Sequence, residues 1–251
     1  MQYAIENGVV YVLEANPRAS RTVPLVSKVC GIRMVPLATD IITSSLTGRP
    51  SPVAELDEMH IPYYGVKEAV FPFNMFQEVD PVLGPEMRST GEVLGLSAST
   101  GEAFFKAEEA AQATLPLSGT VLISVNNQDK PEVVEVAELF HQAGFSILAT
   151  GMTFEVITAA GIPATHVNKI YQGRPNILDF ISNGKIQLIV NTPIGKLSVN
   201  DDSYIRKNAI KAGIPYITTI AAARMAAQGI LRVQKQTGEI RSLQEWHQML
   251  G

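Results

Sequence analysis

The stretch TVLISVNNQDKPEVVEVAELFHQAGFSILATGMTFEVITAAGIP, residues 120–163, decides the fold class. Two short apolar runs, TVLISV and FSILAT, are each followed by a segment of helical texture, PEVVEVAELFHQAG and FEVITAAGIP. A buried strand of a parallel sheet reads as a continuous apolar run, whereas its covering helix repeats apolar residues every three to four positions. The rhythm continues through ATHVNKI, NILDFISNG, IQLIVNT, DSYIRKNAIKAG, IPYIT and an Ala-rich final helix, with helix stops at Gly144, Gly161, Gly184 and Gly213. It predicts an α/β fold in which the carboxyl-terminal part is an open parallel sheet with helices on both faces. Such sheets place ligands at the carboxyl edge of their strands.

Upstream of Thr120 the pattern is less regular. Strand-like pieces, AIENGVVYVLEANP and YYGVKEAVFPF, flank the Pro-, Ser- and Gly-containing LTGRPSPVAELDEMHIP. DPVLGPEMRSTGEVLG, residues 80–95, is rich in turn formers, and a helix is expected over 100–114. These features divide the chain into residues 1–40, a connecting region 41–117 and the sheet domain 118–251, with the last boundary near LPLSG.

Composition narrows the function classes. At 251 residues and 46% apolar content, the chain can bury a substantial core, and a net charge of -4 gives no overall pull toward nucleic acid or anionic lipid. No run of about 18 apolar residues is present, and the first twenty residues lack the order of a secretory signal, so a cytoplasmic protein is expected. The single cysteine, Cys30, reads as a buried small hydrophobe. His60, His141, His166 and His247 show no metal-ligand spacing. Trp246, in SLQEWHQML, is expected to dock a helix.

Two places carry candidate chemistry. In VVYVLEANPRASR, alternation along a strand puts Glu14 and Asn16 on one side, where a carboxylate and an amide oxygen suit a hard cation. Arg18 and Arg21 follow closely and suit phosphate oxygens; the bland alternative is a strand end with surface charges. At the end of FSILAT, Thr150 enters a turn, Gly151 allows close backbone approach and Thr153 stands at the next helix start. Amide groups, hydroxyls and a helix dipole would meet there as a phosphate site, unless one threonine merely caps the helix. Asn191, ending the strand IQLIVNT, faces the ligand crevice or caps the next turn.

The run QYAIENGVVYVLEANPRASRTVPLVSK, residues 2–28, resembles the last strand pair of an ATP-grasp domain, the second such domain in the large chain of carbamoyl phosphate synthetase. IPYYGVKEAVFPFNMF, DPVLGPEMRSTGEVLG, FFKAEEAAQA, VNKIYQGRPNILDFISNG and IPYITT resemble further stretches of that large chain in the same order. The resemblance implies the carboxyl-terminal part of the synthetase, with the rest of the ATP pocket expected upstream. The second half is similar to the methylglyoxal-synthase-like domain that binds nucleotide effectors.

The resemblance implies that Gln2, Glu14 and Asn16 hold magnesium (or manganese) beside ATP, with Arg18 and Arg21 on the phosphate side. It adds Lys130 and Lys169 to Thr150, Gly151, Thr153 and Asn191 as contacts of a nucleotide monophosphate, uridine or inosine monophosphate. It pairs Glu68 and Thr218, with Tyr216 nearby, as an ornithine site. Pro193 and Asp202 depart from the family, which usually carries a threonine and a serine there, and Lys196 is placed to offset the added charge. The implied enzyme makes carbamoyl phosphate from bicarbonate, glutamine and two ATP for pyrimidine and arginine synthesis. Its partners would be the remainder of the large chain and a glutaminase small chain, and this chain alone is expected to be inactive. The rivals are a free-standing methylglyoxal-synthase-like lyase, which lacks its Asp-Pro pair in NTPIG, and a non-catalytic interaction module.

Overall fold

The computed structural model of the protein describes residues 1–18, 20–55, 59–72, 88–193, 199–235 and 240–250. They form two compact units, Met1–Ile61 with Ser242–Gly251, and Pro62–Arg241. Lys196, and the parts of FPFNMF and DPVLGPEMRSTGEVLG that fall within 73–87, lie outside the described residues.

The first unit opens with an antiparallel ribbon of β1 (Gln2–Glu6) and β2 (Val9–Glu14). Asn7 and Gly8 connect them with φ of 51° and 78°, the two-residue turn whose twist matches that of the strands it joins. Two helices follow, α1 (Thr22–Cys30) and α2 (Met34–Thr47). Sequence periodicity did not announce either, because α2 carries three Thr and two Ile and, among its described residues, buries only Ser44. Cys30 is half-buried rather than enclosed.

In the second unit, β3 (Tyr64–Val70) pairs antiparallel with β4 (Gly91–Ser97). The sequence had read residues 91–95 as part of a turn-rich segment, and the strand corrects this. Pairing with β3 supplies the ladder that two glycines weaken, and Gly95 leaves space that the Ala103 carbonyl of α3 (Thr100–Ala110) occupies. The Ser99 hydroxyl caps α3 by accepting from Glu102 N–H at 3.4 Å, and Gln112 at φ 64° turns the chain away before the expected Thr114.

The remaining elements alternate as the sequence predicts: β5 (Thr120–Val125), α4 (Lys130–Gln142), β6 (Ser146–Ala149), α5 (Gly151–Ala159), β7 (Thr165–His166), α6 (Ile177–Ser182), β8 (Leu188–Thr192), α7 (Val199–Lys211), β9 (Tyr216–Ile217) and α8 (Ile220–Lys235). The five strands are parallel in the order β7-β6-β5-β8-β9. Side chains alternate along β5, so Val121, Ile123 and Val125 join a core under α3, α4, α5 and α8, while Leu122 joins one under α6 and α7. The chain moves outward from β5 through β6 to β7 and then returns to the other side of β5 as β8. That reversal opens a crevice beyond the carboxyl ends of β5 and β8.

The last ten residues belong to the first unit. There α9 (Leu243–His247) is capped by Ser242, which accepts from Glu245 N–H at 3.3 Å. Trp246 is buried and His247 Nε2–H donates to the Lys28 carbonyl at 2.6 Å, so the helix docks as expected.

Candidate functional site

A cavity of about 1010 Å³ lies at the carboxyl ends of β5, β6 and β8. Six residues singled out in the sequence, Lys130, Thr150, Gly151, Thr153, Lys169 and Asn191, all line it. They come from four separate segments, with Thr150, Gly151 and Thr153 sharing one bend. Parallel strands deliver Thr150 and Asn191 to the same edge, the start of α4 brings Lys130, and the loop after β7 brings Lys169.

Thr150 is the N-cap residue of α5 by backbone conformation, yet its side chain does not cap the helix. Its hydroxyl donates to Ser124 Oγ at 2.8 Å instead. The Thr153 hydroxyl sits on the β5 backbone, accepting from Val125 N–H at 3.2 Å and lying 3.3 Å from the Val125 carbonyl. Both threonines are 2% exposed and form the floor, whereas Met152 beside them is 57% exposed. The threonines therefore shape the bend, and the first amides of α5 remain without a side-chain cap, an arrangement suited to an anion.

Charge in the crevice agrees. Burial, and then the nearby Lys169 ammonium, push the Lys130 ammonium below the usual lysine range, while Asp129 acts in the opposite sense. Lys130 Nζ also donates to the Val125 carbonyl at 3.0 Å. Two ammonium groups repelling each other across a pocket are relieved by an anion placed between them.

On the far side of β5, Asn191 is 4% exposed and its Nδ2 donates to Asp202 Oδ1 at 2.9 Å and to the Tyr216 hydroxyl at 2.6 Å. Burial pushes the Tyr216 phenol above its usual range, with Asn191 and the Arg206 guanidinium over its ring opposing the shift. Tyr216 thus belongs to the group around Asn191. Glu68 stands on β3, and its carboxyl is raised by burial against the Ala69 N–H bond of 3.1 Å; Thr218 is exposed after β9. Pro193, with no N–H to offer, lines the crevice after β8.

Sequence reasoning missed Asn126 and Thr192. Asn126 N–H donates to Thr192 Oγ1 at 3.2 Å, and Asn126 Nδ2 donates to Asp129 Oδ2 at 2.6 Å and to the Thr192 carbonyl at 3.0 Å. This knot fixes the ends of β5 and β8 and the entry to α4. The signal was available, because Asn126 follows an apolar strand just as Asn191 ends one.

In the first unit, the ribbon brings three further candidates together. Gln2 is the cross-strand partner of Glu14, and Asn16 Nδ2 donates to Glu14 Oε1 at 2.8 Å. All three are exposed. Arg18 follows in a turn closed by its N–H on the Asn16 carbonyl at 2.8 Å, and Arg21 precedes the first turn of α1. Among the described residues no group of three or more His, Cys, Asp or Glu could hold a metal, and no helix is long and apolar enough to cross a membrane.

Comparison with known proteins places this geometry in a family. Residues 132–218 match the model of the MGS-like domain. The chain is 47% identical over 250 residues to the carbamoyl phosphate synthase large chain of Gemmatimonas aurantiaca, covering 100% of this chain and 23% of that one. It is 48% identical to the carbamoyl phosphate synthase large chain, C-terminal section, of Methanocaldococcus jannaschii, covering 96% and 40%. The corresponding C-terminal section of Aquifex aeolicus is 41% identical, covering 98% and 49%. The chain thus spans between about a quarter and half the length of these relatives. It belongs to the carbamoyl phosphate synthase large-chain family, as a carboxyl-terminal part carrying the MGS-like domain.

Proposed function

We propose that this chain is the regulatory end of a glutamine-dependent carbamoyl phosphate synthetase and that its crevice binds a nucleotide monophosphate, such as uridine or inosine monophosphate. The observation that carries the reading is the meeting of Lys130 and Lys169 beside the uncapped start of α5. A phosphate there accepts from backbone amides and balances two ammonium groups. Calorimetry tests it: inorganic phosphate and uridine monophosphate bind the wild type, and Lys130→Ala or Lys169→Ala weakens each at least about tenfold. Absence of heat with phosphate and with both nucleotides overturns the reading.

In the intact enzyme, the ribbon end serves the second ATP. Gln2, Glu14 and Asn16 offer one carboxylate and two amide carbonyls, a donor set that fits magnesium or manganese, and Arg18 and Arg21 face the phosphate side. The ion, when bound, supplies charge neutralisation at the transferring phosphate. Glu68, Thr218 and Tyr216 would serve ornithine, whose ammonium group would pair with the Glu68 carboxylate and offset the burial that disfavours its charge. Effector binding acts on synthesis through a coupling energy on the order of 1–3 kcal/mol. The remainder of the large chain, a glutaminase chain, cytoplasmic residence and service to pyrimidine and arginine synthesis complete the proposal.

One observation favours a second reading. Asp202 puts a carboxylate on the crevice wall, as a lyase acting on dihydroxyacetone phosphate requires. Phosphate release from that substrate above a no-enzyme control, abolished in Asp202→Asn, would support it.

A further inference from the structure

Asp202 lines the crevice and is 8% exposed, yet among the described residues only one of its carboxylate oxygens is engaged. Oδ1 accepts from Asn191 Nδ2 at 2.9 Å, while Oδ2 is buried and has no hydrogen-bond partner among the described residues. A buried acceptor left unmade is costly and rare, and at a binding cavity it points to a donor supplied from outside the chain. The neighbouring cation does not supply it. Arg206, one helical turn along α7, has its guanidinium over the Tyr216 ring, and its Nε is likewise buried without a partner among the described residues.

Position says which part of a ligand would arrive. Asn191 pairs in register with Ser124 on β5, and β5 separates β8 from β6, whose end carries Thr150. Two strand spacings make roughly 10 Å between the phosphate bend and the Asn191–Asp202 pair. That span exceeds a phosphate group and suits the sugar or base of a phosphate ester. It also keeps the carboxylate away from the phosphate, so the extra negative charge does not forbid binding. The χ2 angle of an aspartate is broad, and a small turn about it brings the second oxygen to the cavity.

We infer that Asp202 is a specificity-determining residue of the crevice, requiring a hydrogen-bond donor, a sugar hydroxyl or a base N–H, on the end of a phosphate ester remote from its phosphate. The inference rests on the phosphate reading above. Asp202→Asn is the informative change. Its carbonyl oxygen can keep the Asn191 bond, which leaves an NH₂ donor where the acceptor stood. A ligand donor then meets a donor, and discrimination reverses.

The test is calorimetry on the whole chain, wild type and Asp202→Asn, with inorganic phosphate, ribose 5-phosphate, 2-deoxyribose 5-phosphate, uridine monophosphate and N3-methyluridine monophosphate. The expected result is unchanged or tighter phosphate binding in Asp202→Asn, with uridine monophosphate weakened at least about tenfold. In the wild type, weaker binding of the deoxy sugar assigns the donor to the sugar, and weaker binding of the N3-methyl nucleotide assigns it to the base. Uridine monophosphate binding Asp202→Asn as tightly as wild type overturns the inference and leaves the phosphate reading standing. Failure of every phosphate compound to bind the wild type overturns both. Asp202→Ser, which also removes the charge, guards against a folding defect: its circular dichroism should match wild type, and its loss for uridine monophosphate should exceed its loss for phosphate. Equal losses count against the inference.

Discussion

Glu108 on α3 is a perturbed carboxyl: burial, with the negative charge of Glu68 adding to it, pushes it up to about 7 from 4.5. A carboxyl raised in the folded state binds its proton more tightly there than in the unfolded chain. Its contribution to stability is therefore complete below about 4.5 and is lost as pH rises through about 7. Glu108→Gln removes the ionisation, so the variant is expected to gain about 1–3 kcal/mol at pH 8 and little at pH 5, read by urea unfolding at both values. Lys130 tests the crevice in the same way. Its ammonium is held below the usual range by burial and Lys169, so phosphate affinity should fall with rising pH before an ordinary lysine deprotonates. Lys130→Arg should abolish that fall, measured by calorimetry over a pH series. Thr150 and Asn191 were legible as ends of apolar strands, whereas Lys130 and Lys169 were visible only through resemblance, since one lysine in a sequence looks like any other. The bond from Asn191 to Asp202 spans eleven residues and leaves no periodic trace.

Among elements, the helix pair α3 and α8 depends on an absence of side chains. A Cβ on Gly101 would lie 2.8 Å from Gly229 N, and one on Gly229 would meet the Gly101 carbonyl. Gly229→Ala should raise helix propensity yet destabilise by about 1–3 kcal/mol, because the backbones must separate; a lower urea midpoint with unchanged slope is the expected reading. Strands β5, β6 and β8 were legible because each is an apolar run followed by a helix and a glycine stop. Strand β4 and helices α1 and α2 were not, because the first depends on its partner and the helices lack a strong buried face. The β1–β2 ribbon adds a different prediction. Every residue of β2 is exposed, including Val10, Val12 and Leu13 at 59%, 61% and 64%. An uncovered apolar ribbon favours self-association, so sedimentation should show concentration-dependent dimers or larger species that Val10→Lys and Val12→Lys diminish.

For the molecule as a whole, binding and synthesis are expected to separate. The purified 251-residue polypeptide is expected to bind nucleotide monophosphate yet produce no carbamoyl phosphate from bicarbonate, ammonia and ATP, checked by trapping the product with labelled bicarbonate. On the proposed assignment the described residues would offer ATP only the ribbon end, and one exposed carboxylate with two amides is a weak hold on a metal nucleotide. Ligand should also stabilise the Pro62–Arg241 unit by mass action, about 2.7 kcal/mol at a hundredfold excess over Kd. The lysine pair carries one more consequence. Two ammonium groups beside helix amides attract free orthophosphate as readily as the phosphate of an ester, and orthophosphate is abundant in living cells. On the proposed reading a regulator would have to compete with that anion, so its apparent potency would track the phosphate status of its surroundings, and signal fidelity would fall to the distal wall of the crevice.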